Sequence, residues 1–136
     1  MNLFRKLKKK TTIRKTTFSS SNDYTTHIFN EFLIESTENQ NNIHLVSDVP
    51  VNITASADNK LSAHLHGETN CKDIRFYITI LDDEIKIVAK YKPATKDFVI
   101  HSLLTLDIEV PLKEFNNIKV EAKNSSIVIA SNVTAN

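Results

Sequence analysis

The chain has 136 residues, 40% of them apolar and 24% charged, with a formal net charge of +1; this is enough for one domain with a real core. A single Gly excludes a Gly-rich phosphate loop, and a single cysteine, Cys71, excludes an internal disulfide or an all-Cys zinc site. No apolar run reaches the roughly 18 residues of a membrane-spanning helix. The charge is unevenly placed. Residues 1–15 hold seven of the 17 basic side chains and no acid, which leaves 10 basic against 16 acidic side chains in the remainder.

MNLFRKLKKK opens like the charged part of a secretory leader, but TTIRKTTFSSS follows where an apolar segment of about 7–15 residues is required. The expectation is a cytoplasmic or membrane-peripheral protein. Leu3, Phe4 and Leu7 share one side if residues 1–10 coil into a helix. Arg5, Lys6, Lys8, Lys9 and Lys10 would then meet an anionic membrane or another anion; the plainer alternative is a solvated tail. Residues 1–26 form a basic, Ser/Thr-rich arm, in which Ile13 and Phe18 fit either an edge strand or a linker. Residues 27–136 form a single β domain.

From Ile28 onward apolar and polar residues alternate. Phe29, Phe32 and Ile34 are followed by the turn-forming TENQNN, then Ile43 and Leu45, a break at Ser47–Pro50, and Val51, Ile53 and Ala55. In LSAHLHG, Leu61, Ala63 and Leu65 face one way and Ser62, His64 and His66 the other. IRFYITIL places Ile74, Phe76, Ile78 and Ile80 on one side. Asp82-Asp83 reverses the chain into a strand carrying Ile85, Ile87, Ala89 and Tyr91. With Gly so scarce, Asn and Asp must fill the turns.

The run from Leu103 to Ala130 repeats the pattern: Leu104, Leu106, Ile108 and Val110, then Ile118, Val120 and Ala122, then Ile127 and Ile129. The spacing predicts an all-β fold, either a β-solenoid-like stack or a twisted two-layer sheet of short alternating strands and hairpins. A register slip would turn each buried face outward, at about 1.5–3 kcal/mol per large apolar side chain. Lys86, Lys90, Lys119, Glu121 and Lys123 fall at outward positions and discourage edge pairing.

LTLDIEVPLKEFNNIKVEAKNSSIVIA resembles the bacterial β-strand-repeat family described as candidate adhesins, a domain of unknown function. Val110-Pro111 matches that family's strand-ending pair. Phe115 and Ile118 match its apolar loop and strand, and Asn124-Ser125-Ser126-Ile127 stands at its turn, with Ser where the family carries Gly. The likeness spans about residues 28–136 and is specific only from 103 onward. It implies an elongated β domain of unassigned activity and transfers no catalytic residue.

Candidate chemistry is sparse. His64 and His66 leave the same strand face and suit a metal only if a third ligand joins them; Glu68 is the one neighbour on offer. Asp82, Asp83 and Glu84 lack calcium-loop spacing and suit a turn. Cys71 reads as a packing residue. His27, His44 and His101 read as structural. No catalytic set, cofactor or metal is expected, and a net acidic body without a basic, aromatic-lined strand face argues against nucleic acid. The function expected is a non-enzymatic β-repeat module for protein contact or self-association, peripheral to a membrane through its arm. The alternative is a carbohydrate- or small-ligand-binding domain using an outer face with His64, His66 and Tyr77.

Overall fold

Strict alternation produces strands that bury every second side chain, and the computed structural model contains ten of them with no helix among the described residues. The structure describes residues 13–21, 25–35, 37, 39–56, 58, 60–93, 95–111, 114–123, 126–129 and 133. Strands β1 (Ile13–Ser21), β2 (Thr26–Ile34), β5 (Leu61–Thr69), β8 (Thr105–Pro111), β4 (Val51–Ser56) and β10 (Ile127–Ile129) form one sheet in that order. A second sheet has the order β6 (Ile74–Leu81), β7 (Glu84–Tyr91), β3 (Asn42–Ser47) and β9 (Asn117–Ala122). Both sheets mix parallel and antiparallel pairs, and neither closes on itself. The segment at Ile13–Ser21 is thus an edge strand rather than a linker, paired along its whole length with β2.

The inner faces meet in one core. Ile34, Leu61, Leu65, Leu106 and Ile108 from the first sheet pack in one cluster with Leu45, Ile85 and Ile87 from the second. Phe32 and Phe76 touch edge to face across the layers, with ring centroids 4.8 Å apart. Phe115, wholly buried, fills the crossing between β8 and β9. Ile118 and Val120 pack against this cluster while remaining half-buried. Of the two architectures compatible with the alternation, the twisted two-layer sheet describes the chain. The pairs β3–β4, β7–β8 and β9–β10 each pass from the four-stranded to the six-stranded sheet and lie side by side. The pair first in sequence lies in the middle.

Local chemistry explains the corners. Ser47 Oγ donates to the Val49 carbonyl at 2.7 Å and accepts from its N–H at 3.0 Å, holding the reversal that carries the chain between layers. Asp82 adopts φ +53° in the β6–β7 hairpin, where Leu81 pairs with Glu84, so Asp serves where Gly would otherwise stand. Asp83 does more than turn. Its carboxylate accepts from the Asn41 N–H and Nδ2 at 3.0 Å and from Asn42 Nδ2 at 2.8 Å, tying the hairpin to the start of β3. Asp58 accepts from the Ser56 hydroxyl at 2.7 Å and from the Lys60 N–H at 3.0 Å in the β4–β5 turn, and these bonds lower its pKa. Pro111 ends β8, as a residue without a ladder donor should.

β10 departs from the sequence expectation. It forms, but it lies outermost, beyond β4, and Ile127 and Ile129 are 39% and 51% exposed.

Candidate functional site

Residues paired across neighbouring strands share a face, so the sheet registers assemble the surface. On the outer side of the six-stranded sheet one row runs Glu31, His64, Asp107 and Asn52 across β2, β5, β8 and β4. The next row holds Phe29, His66 and Thr105, and His27 stands opposite Glu68. His64 Nε2 hydrogen-bonds the Glu31 carboxylate, and Phe29 lies against the His64 ring with centroids 5.6 Å apart. His66 Nε2 donates to Asp107 Oδ2 at 2.6 Å, Asn52 Nδ2 donates to Asp107 Oδ1 at 3.0 Å, and His27 Nδ1 lies 3.3 Å from Glu68.

An ionised carboxylate only accepts, so Nε2 of His64 and of His66 is the donor in these pairs. Partial burial pushes the Asp107 carboxyl up, while the bonds from Asn52 and His66 pull it down. The bonds prevail and its pKa is lowered. Among the described residues no group of three His, Cys, Asp or Glu side chains stands close enough to hold a metal ion. Glu68 is engaged with His27.

The structure brings His64 and His66 together and sends Tyr77 elsewhere. Tyr77 is exposed on β6, alternating with the inward-facing Phe76, and therefore lies on the outer side of the opposite sheet. The expected trio is not a single surface. The cause is topological: β5 and β6 are consecutive in sequence but belong to different layers. The arm residues Arg5, Lys6, Lys8, Lys9 and Lys10 lie outside the described residues, as do Asn124 and Ser125 of the family-like turn.

The outer side of the four-stranded sheet has a different character. Arg75 faces Lys90, and Thr79, Lys86, His44 and Lys119 form one row, with Tyr77, Val88, Val46 and Glu121 in the row between. Lys123 follows β9 and donates its N–H to the Ser47 carbonyl. His44 Nε2 bonds Glu121 at 2.6 Å, and Lys119 lies 3.7 Å from the same carboxylate; together they lower its pKa. An open groove lined by Asp48, Lys90, Val120 and Lys123 marks one end of this face. Alternation set these lysines outward, but only the strand order makes them neighbours.

Cys71 is buried, its thiol donating to the Asp73 carbonyl at 3.3 Å. Burial raises the Tyr91 phenol pKa, against the opposing effect of its 2.6 Å hydrogen bond to Ser102 Oγ. No protein-family model, characterised protein or solved structure matches the chain at a significant level.

Proposed function

We propose that this chain is a non-enzymatic β module for protein contact or assembly, related to the β-strand-repeat family whose strand-ending Val110-Pro111 it carries. The observation that supports this best is the open edge at β10. Ile127, Val128 and Ile129 are three consecutive apolar residues, 39%, 59% and 51% exposed, on a strand whose one described neighbour is β4. An uncovered apolar edge offers main-chain groups and side chains to an added strand. Because Ile13–Ser21 of the 1–26 arm belongs to β1, the part of the arm that would meet an anionic membrane is the preceding basic segment with Arg5, Lys6, Lys8, Lys9 and Lys10.

Sedimentation of the full chain and of Val128→Lys tests the edge. Association with itself or with a bait partner should fall at least tenfold in the variant; equal association by both proteins removes the edge from the interface. Loss of binding to anionic vesicles on deleting residues 1–12 tests the arm, and unchanged binding discards it.

The second reading is a carbohydrate site on the outer face of the six-stranded sheet. It is favoured by Phe29, 41% exposed beside His64, with Glu31, Asp107 and Asn52 as hydroxyl partners. A melting-temperature rise with one member of a sugar panel supports it, and no rise with any member sinks it.

A further inference from the structure

The described side chains of the two outer faces differ in charge. The six-stranded sheet presents Glu31, Glu68, Asp107 and Glu109, with no Lys or Arg among the described side chains of its outer rows. The four-stranded sheet presents Arg75, Lys86, Lys90 and Lys119 against Glu84 and Glu121, with Lys123 and Asp48 at its end. Glu121 is engaged by His44 and Lys119 on this face, as Glu31, Asp107 and Glu68 are by His64, His66 and His27 on the other, so the excess of basic over acidic groups here is carried by Arg75, Lys86 and Lys90. Each face also holds an exposed ring near its middle rows, Phe29 on the acidic side at 41% and Tyr77 on the basic side at 44%.

We propose that copies of this chain stack on one another, the acidic outer face of one against the basic outer face of the next. The inference rests on the reading of the chain as a contact module and names its partner as a second copy. Charge complementarity carries it: the faces lie on opposite sides of a two-layer molecule, so each copy offers both halves of the same contact. Such a contact is heterologous. It does not close on itself and extends into an open stack. Like-charged alternatives, acidic on acidic or basic on basic, are repelled, which fixes the polarity of the stack. Salt must weaken it, because exposed charges are screened within about 8–10 Å at 0.1–0.15 M ionic strength. Association through the apolar β10 edge has the opposite dependence, since burial of apolar surface is not weakened by salt.

Sedimentation velocity on the full chain decides the matter. At about 0.05 M salt the weight-average mass should rise with concentration above the 15.4 kDa monomer, and at about 0.5 M it should return to the monomer. Lys86→Glu with Lys90→Glu, and separately Glu68→Lys with Glu109→Lys, should each be monomeric at low salt. All these side chains sit on the surface, so both variants should keep the wild-type circular dichroism. Mixing the two variants should restore association, because each retains the face the other has lost. A wild type that stays monomeric at low salt, or two variants that stay apart when mixed, overturns the proposal. If Val128→Lys abolishes association while the charge-reversed chains keep it, the contact reading survives and stacking does not. Loss of association on deleting residues 1–12 makes the arm the occupant of the acidic face. Capture of heparin by the basic face without self-association makes a polyanion its occupant. Either result overturns stacking.

Discussion

Gly67 is the chain's one glycine, and it stands where a side chain has no room. Its φ is +129°, and a Cβ built there would lie 2.1 Å from the Leu103 carbonyl oxygen, a backbone atom. The approach is real chemistry: Leu103 donates its N–H to the Glu68 carbonyl at 2.7 Å as β8 joins β5. Gly67→Ala therefore combines strain with a collision and should lower unfolding stability by more than about 1 kcal/mol, measured by denaturant titration. Asp107 makes a second prediction at this scale. Its folded carboxyl titrates below the usual carboxylate range, so it contributes stability that is present above about pH 4 and lost as pH falls through its lower folded value. Asp107→Asn should flatten the stability profile below about pH 4. At neutral pH the cost should stay under about 1 kcal/mol, because the pair with His66 is substantially exposed. An unchanged acid limb would discount the pair.

Between elements, the β6–β7 turn is a clamp as much as a reversal. Sequence composition makes Asp82-Asp83 a turn by backbone preference alone, and Asp82 fulfils that with its left-handed φ. Asp83 instead directs its carboxylate to Asn41 and Asn42, more than forty positions earlier, at the start of the strand that β7 flanks. Asp83→Ala removes the three carboxylate bonds to Asn41 and Asn42, keeps the main-chain Asp83 carbonyl as acceptor for their N–H groups, and should cost about 1–3 kcal/mol. Asp82→Gly, which keeps the clamp and eases the backbone, should match or exceed the wild-type stability. Equal melting temperatures for wild type and Asp83→Ala would show that the clamp contributes nothing.

At the scale of the molecule, β8 inserts between β4 and β5, two strands joined by a short turn, and pairs with residues 39 to 55 positions earlier in the chain. Pairing of this kind closes long loops before any contact compensates, so folding is slow for the chain's size. Refolding monitored by stopped-flow should fall in the millisecond-to-second range typical of β-rich domains, and a microsecond phase carrying the full amplitude would contradict the topology. The same long-range pairing builds the surfaces. Glu31 meets His64, His66 meets Asp107, and Lys86 meets Lys119 through His44 only because non-sequential strands are neighbours.

The amino-acid sequence alone determined that the chain is β, which side chains turn inward and where several turns fall. Alternation, Pro111, and Asp or Asn at reversals act within a few residues, so Leu106 and Ile108 are buried and the Ile74–Tyr91 hairpin forms as its pattern dictates. Tertiary structure decided which strands adjoin and in which layer. It separated Tyr77 from His64 and His66, exposed Ile127 and Ile129 at an edge, and gathered the acids and the lysines onto opposite outer faces. The reason is physical: a strand's inward face is set by its own period of two, but its neighbour is chosen by core packing and chain crossings among distant segments.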